Sequence, residues 1–135
     1  CIHPDCTLEE ITSAWNSIII SIPQHKLQQL LQLKKRKKVL LLSNTNAAHI
    51  QYIEHILSEM GLDPLESYFD AVYYSYLMGM RKPDPGIFAK VLESEQIPAT
   101  SVVFIDDSLD NCKAAQTLGI TAVCHTPSAP IDIYL

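Results

Sequence analysis

The chain has 135 residues, of which 47% are hydrophobic and 19% are charged, a composition that is typical of one globular domain and excludes an intrinsically disordered chain. Ten basic and fifteen acidic residues give a net charge of -5, so the overall field repels polyanions and we expect no nucleic acid partner. No apolar run approaches the roughly 20 residues that a membrane-spanning helix needs, and we expect no membrane partner.

The N-terminus indicates where the natural protein begins, and the cysteines indicate its compartment. The chain begins with Cys1 rather than Met and has no basic-then-apolar leader, so we expect the natural protein to begin upstream. Its four cysteines have no CxxC spacing and lack the close-set Cys and His residues of a zinc site. Reduced thiols in a cytoplasmic protein are the favoured interpretation.

Two amphipathic helices are predicted before the first strand. One spans Thr7 to Ile20, where Thr7 and Glu10 form a capping box. Pro23 fits the first turn of the second helix. The apolar face of that helix consists of four leucines, Leu27, Leu30, Leu31 and Leu33. It ends in the basic run 34–38, which we interpret as a solvated turn after a helix C-terminus.

The middle of the chain predicts a strand, a helix and a second strand. Residues 39–42 are apolar and run into the polar cluster 43–46, as expected for a buried strand followed by a loop and a helix cap. The following helix ends at Gly61, and its apolar face contains Ile50, Ile53, Ile56, Leu57 and Met60. Residues 69–74 are rich in β-formers and predict the second strand.

The last third continues the alternation of strands and helices. A loop at 75–84 is followed by a helix, in which Asp84 is the predicted N-cap and Pro85 the first residue. Strands are predicted at 102–105 and 120–124, with a helix between them that ends at Gly119. This order predicts an α/β fold with a mostly parallel sheet, whose ligands bind beyond the carboxyl ends of the strands.

Polar residues follow the predicted strands at that edge of the sheet. They are Ser43, Asn44, Lys82, Asp106 and Asp107. Each signal is weak alone, although two adjacent carboxylates after a buried strand repel each other unless a cation or strong donors compensate. Together, a hydroxyl, loop amides, a lysine and paired acids are what a phosphate with Mg²⁺ requires. The sequence therefore predicts phosphoryl transfer.

These residues lie in segments that resemble motifs of the haloacid dehalogenase (HAD) superfamily, in particular its phosphatase-like members with a small helical cap. LLLSNTN at 40–46, GMRKPDPGIF at 79–88 and VVFIDDSLDN at 102–111 match three of the four family motifs in order. The resemblance implies a three-layer Rossmann-like core with a mostly parallel sheet. It makes residues 1–22 the C-terminal part of the helical cap and 23–135 an α/β core that lacks its first strand.

The resemblance also implies a role for each matching residue. Ser43 would hydrogen-bond the transferring phosphoryl group with help from the backbone amide of Asn44. Lys82 would neutralise that group and orient the nucleophile.

The acidic motif would hold the metal ion. Asp107 is the better candidate for direct coordination of Mg²⁺, and Asp106 for a contact through water. Asn111, one turn into the following helix, would support the acidic pair.

The first family motif, a strand that ends in Asp-x-Asp, is absent from this sequence. Its first Asp attacks phosphorus and its second is the general acid and base. Asp5 has Thr7 two residues on, but the preceding residues 1–4 do not fit a buried strand. We therefore expect the nucleophile upstream of this chain. The missing strand is the central one of the family's sheet, so we expect an open seam, which leaves association into a homo-oligomer open.

The favoured hypothesis is a Mg²⁺-dependent phosphatase that acts on small phosphorylated metabolites through an aspartyl-phosphate. Sugar phosphates are the favoured class by resemblance only, and the chain shown is predicted to be inactive alone. The alternative is a non-catalytic HAD-like binding domain or inactive fragment, which would explain the absent nucleophile. Dehalogenation suits the lysine and metal-binding acids less well. A receiver domain is disfavoured because receivers place the acidic pair first and the lysine last.

Overall fold

The computed structural model of the protein describes residues 23–125. The predicted helix from Thr7 to Ile20 and the predicted cap segment 1–22 lie outside the described residues. In chain order, the helices and strands are α1 (Gln24–Lys34), β1 (Leu40–Ser43), α2 (Ala47–Glu59), β2 (Ala71–Tyr74), α3 (Ser75–Met78), α4 (Pro85–Glu95), β3 (Val103–Asp106), α5 (Leu109–Gln116) and β4 (Thr121–Cys124). Short 3-10 helices lie at Leu65–Tyr68 and Ala99–Ser101. No helix in this part of the chain is long and apolar enough to cross a membrane.

The strands form two pairs. β1 is hydrogen-bonded to β2, and β3 to β4. β3 and β4 run parallel, with Val103 opposite Thr121 and Asp106 opposite Cys124. Within residues 23–125, no ladder joins one pair to the other. The α/β class with parallel strands is thus confirmed, whereas the missing central strand stays a prediction.

The chain divides into two compact units. The first contains the described residues up to Leu41 together with Thr45–Val72, and the second contains Leu42–Asn44 and residues 73–125. The first unit has a core of Leu27, Leu57, Leu65 and Tyr68. The core of the second unit consists of Ile87, Phe88, Ala114, Ala115 and Ile120. The division predicted from the sequence, at residue 22, stays a prediction.

Three helices begin at side-chain caps. Asn46 Oδ1 accepts the His49 N–H at 2.9 Å and starts α2. Asp84 Oδ1 accepts the Gly86 N–H at 2.8 Å, so α4 begins at Pro85 as predicted. Ser108 is the N-cap of α5. Each cap satisfies a backbone donor that the first turn of a helix leaves unpaired.

Some sequence predictions were wrong in detail. The segment Ser75–Met78, predicted as loop, is a short helix that ends at Gly79, whose φ of 63° suits a residue without a Cβ. Leu31 is exposed, because the side of α1 that packs against the core carries Leu27 and Leu30 and leaves Leu31 at its margin. Val103 is also exposed, so β3 is not buried on both faces at its first residue.

Candidate functional site

Lys82 is a buried cation at the ends of two strands. It is 8% exposed and lies in the second unit, three residues before α4. Its Nζ donates to Asp106 Oδ2 at 2.6 Å and to the carbonyl oxygen of Leu42 at 2.8 Å. The same ammonium lies 5.3 Å from the centre of the Phe104 ring, within the range of a cation–π contact. Burial of a lysine without such partners is unfavourable, so Lys82 is not an ordinary solvated surface charge.

Asn44 holds the backbone of Lys82 in place. Its Oδ1 accepts the Lys82 N–H at 2.9 Å, and its Nδ2 donates to the Lys82 carbonyl oxygen at 2.8 Å. The single side-chain amide of Asn44 thus pairs with both polar groups of the Lys82 backbone, the N–H and the carbonyl. The Asn44 side chain therefore fixes the loop that carries the lysine. This contact of the Asn44 side chain was not predicted from the sequence. Only the Asn44 backbone amide was predicted to have a role.

Asp106 is the centre of the hydrogen-bond network. Its Oδ1 accepts from the Ser108 N–H at 2.8 Å and from Asn111 Nδ2 at 2.9 Å, while Oδ2 faces Lys82. Burial alone would raise the pKa of this carboxyl group. The donors Lys82, Ser108 and Asn111 outweigh that effect and hold the pKa of Asp106 below its usual range. Asp106 is thus a carboxylate whose two oxygens are both engaged by protein donors.

Ser43 is the last residue of β1, adjacent to the carbonyl of Leu42 that binds Lys82. Its side chain is partly buried. Within residues 23–125 its hydroxyl makes no hydrogen bond to protein, so it is available to a bound group.

Asp107 differs from Asp106 in its surroundings. It is exposed, and its carboxylate has no hydrogen bond or ion pair within the part of the chain that the structure describes. No group of three or more His, Cys, Asp or Glu residues in that part could hold a metal ion. The two adjacent carboxylates are hard oxygen donors, and Mg²⁺ commonly binds through one or two carboxylates together with phosphate oxygens and water. This donor set fits a Mg²⁺ ion shared with a phosphate, and does not fit an all-protein cage.

The structure brings four of the six predicted site residues into direct contact. Lys82 and Asp106 form the ion pair, Asn111 bonds to Asp106, and Asn44 bonds to Lys82. Ser43 and Asp107 lie next to these residues in the chain.

Three participants were missed from the sequence: the Leu42 carbonyl, the Phe104 ring and the Ser108 amide. Only Ser108 carries a sequence signal, because a serine two residues after an aspartate suits a turn closed by the aspartate side chain.

Comparison with known proteins decides the family. A sequence model of haloacid dehalogenase-like hydrolases matches residues 19–119. The chain belongs to this family.

Several HAD relatives are phosphatases. The chain is 31% identical over 115 residues to a D-ribitol-5-phosphate phosphatase of Bacteroides thetaiotaomicron, covering 85% of this chain and 56% of that protein. It is 33% identical over 106 residues to a sesquiterpene phosphatase of Aspergillus oryzae, covering 78% of this chain and 52% of that protein. The chain thus spans about half the length of these curated relatives.

A solved HAD structure is similar to most of the chain. It is a mutant HAD family enzyme of Bacteroides thetaiotaomicron in complex with magnesium and inorganic phosphate. The TM-score is 0.87 at 38% sequence identity, and the match covers 96% of this chain and 64% of that one.

Proposed function

We propose that the complete protein is a Mg²⁺-dependent phosphatase that acts on small phosphorylated metabolites through an aspartyl-phosphate. Its nucleophile and its general acid and base would lie upstream of this chain, since the chain has no Asp-x-Asp. The observation that carries the proposal is the buried Lys82 ammonium, bonded to Asp106 and to the Leu42 carbonyl directly before Ser43. A fixed cation beside an available hydroxyl suits a phosphoryl group.

In this proposal, the chain supplies the electrostatic part of the site. Lys82 neutralises charge on the phosphoryl oxygens, and Asp106 and Asn44 keep its ammonium and its backbone in position. Ser43 donates its hydroxyl proton in a hydrogen bond to one phosphoryl oxygen. Donors that are already oriented before the reaction stabilise a transition state without a cost of reorganisation.

Asp107 and Asp106 are the residues that we propose to hold Mg²⁺, Asp107 directly and Asp106 through water. The exposed carboxylate of Asp107 and the engaged oxygens of Asp106 support this division. Asn111 supports the pair through its bond to Asp106. When bound, the ion would supply further charge stabilisation at the phosphoryl oxygens. The magnesium and phosphate in the similar Bacteroides structure also support the proposal.

Sugar and polyol phosphates are the substrate class that we propose. The support is the similarity to a relative named for D-ribitol-5-phosphate. No residue in the described part of the chain is assigned to a sugar hydroxyl, so the class rests on that relative. We further propose a cytoplasmic location, which the free thiols of Cys112 and Cys124 support.

The test is a phosphatase assay of the complete protein on a panel of sugar and polyol phosphates, with Mg²⁺ and with EDTA. We expect Mg²⁺-dependent release of phosphate, and a loss of about 100-fold in kcat/KM in Ser43→Ala, the size expected for one transition-state hydrogen-bond donor. Ser101→Ala is the matched control, because Ser101 is an exposed serine whose hydroxyl donates to the Pro98 carbonyl oxygen, away from the residues assigned to the site. Phosphate binding without turnover on any phosphomonoester would favour the non-catalytic alternative.

A further inference from the structure

The basic run 34–38 is unusual for this chain. It holds half of the ten Lys and Arg residues, while all fifteen acidic residues lie elsewhere. A favourable interaction with the helix dipole accounts for cations only in the last turn of α1, which ends at Lys34. The dipole gives no reason for the cations that follow the helix.

The structure fixes this run at both ends. The Nζ of Lys34 donates to the carbonyl oxygens of Ser67 at 3.0 Å and Phe69 at 2.8 Å. At the other end, the Val39 N–H donates to Asp70 Oδ2, and the Asp70 N–H donates to the Val39 carbonyl oxygen, each at 2.7 Å.

Between these anchors the chain forms an ordered turn. The N–H groups of Arg36 and Lys37 both donate to the Leu33 carbonyl oxygen at 2.9 Å. Hydrogen bonds to other parts of the first unit therefore constrain the basic run.

The ordered turn lines an open cleft in the first unit, which we call the basic cleft. It is formed by Lys34, Arg36, Lys37, Lys38 and Asp70. The one carboxylate is already engaged by the Val39 N–H and lies 3.9 Å from the Lys34 ammonium. The exposed side chains of Arg36 and Lys37 make no hydrogen bond or ion pair within residues 23–125. Four cations thus face one carboxylate, and two of the cations are available to a ligand.

The ligand that fits is a small anion with several charges. Guanidinium and ammonium groups on a fixed backbone suit phosphate oxygens, which Arg can bind in a bidentate manner. At moderate salt, the attraction from the basic cleft reaches only roughly 10 Å. A long polyanion would extend farther than this, to the rest of the protein, where acidic residues outnumber basic ones. A compact anion would contact only the cleft.

We propose that the basic cleft binds a soluble, compact oligophosphate anion. This inference goes beyond the proposed phosphatase function and uses none of the residues assigned to it. The backbone turn that carries Arg36 and Lys37 is hydrogen-bonded to Leu33 without a ligand, so little ordering of the backbone opposes binding.

The test is calorimetric titration of the protein with inorganic tripolyphosphate in EDTA at low ionic strength. We expect saturable binding that weakens with added salt. Removal of two charged contacts in Arg36→Ala/Lys37→Ala should weaken it by about tenfold or more. The matched control, Lys90→Ala/Lys113→Ala, removes the same charge from exposed positions on α4 and α5 and should bind as the unchanged protein does.

Several results would overturn the proposal. They are no binding by the unchanged protein, equal binding by the Arg36 and Lys37 variant, or equal weakening in the control. Tighter binding to an oligonucleotide, or to vesicles with phosphorylated headgroups, than to tripolyphosphate would also overturn it, because the preferred ligand would then not be compact and soluble. Melting curves of both variants ensure that a loss of binding is not a loss of folding.

Discussion

Asn44 holds Lys82 by its backbone, while Asp106 holds the same lysine by its charge. The two contacts come from different strand ends, since Asn44 directly follows β1 and Asp106 is the last residue of β3. The position of the ammonium is therefore set independently at both ends of the side chain. This arrangement suits a group that must meet a ligand in a fixed geometry.

Asn44→Ala should lower both stability and activity. It removes two hydrogen bonds to the backbone of the buried Lys82, so we expect a loss of about 1–3 kcal/mol in the free energy of unfolding. A less ordered lysine should also lower kcat/KM of the complete protein by about tenfold. Urea unfolding and phosphatase assays measure the two effects. Asn46→Ala is the control, because loss of the α2 cap should cost about 1 kcal/mol and leave kcat/KM unchanged. Unchanged kcat/KM in Asn44→Ala would exclude the positioning role.

The two alanine substitutions in the acidic pair should differ in their effect on stability. Asp106→Ala leaves the buried Lys82 without its counter-ion and should cost about 3–5 kcal/mol. Asp107→Ala removes an exposed side chain and should change stability by less than about 0.5 kcal/mol. Asp107→Ala should nevertheless abolish Mg²⁺-dependent phosphatase activity of the complete protein. Unfolding curves and assays on both variants decide this, and normal turnover by Asp107→Ala would remove that residue from the metal site.

Because of Tyr73, we expect the free energy of unfolding to depend on pH in the alkaline range. Burial, together with the hydrogen bond from its hydroxyl to the Glu95 carboxylate, raises the pKa of Tyr73 to about 12. A raised pKa stabilises the protonated form, so the contribution is full below about pH 10, the value for an unfolded tyrosine, and declines as the pH rises from there to about 12. An ultraviolet titration of the protein should show a late-ionising component that Tyr73→Phe lacks. Ionisation of every tyrosine near pH 10 would contradict this.

The 135-residue chain alone should hydrolyse no phosphomonoester. In the proposed mechanism Lys82, Ser43 and the acidic pair would supply charge stabilisation, but the sequence contains no Asp-x-Asp to form the covalent intermediate. The measurement is phosphate release by the purified chain with Mg²⁺, with the complete protein assayed in parallel. Mg²⁺-dependent turnover by the chain would refute the argument from the missing motif.

Features that are local in sequence were predicted well. The Asp84 and Pro85 start of α4 and the glycine after α2 follow from the backbone preferences of a few adjacent residues. The strand ends were located within one residue for β1 and β3, because apolar runs stop abruptly at Ser43 and at the acidic pair.

Contacts between distant residues were not predictable in the same way. The bonds between Asn44 and Lys82 join residues 38 positions apart, and nothing in the local sequence distinguishes that asparagine from a cap such as Asn46. The Leu42 carbonyl has no sequence signal, because every residue has one. The helix at Ser75–Met78 was missed because it is a single turn without a periodic apolar face.

The pairing of Lys82 with Asp106 has a thermodynamic consequence. Because Asp106 already balances part of the charge of the Lys82 ammonium, that ammonium can offset only part of the charge of a doubly charged phosphate. A divalent cation bound beside the phosphate would complete the balance. We therefore expect heterotropic linkage, in which phosphate and Mg²⁺ raise each other's affinity by the same factor, as reciprocity of coupling requires.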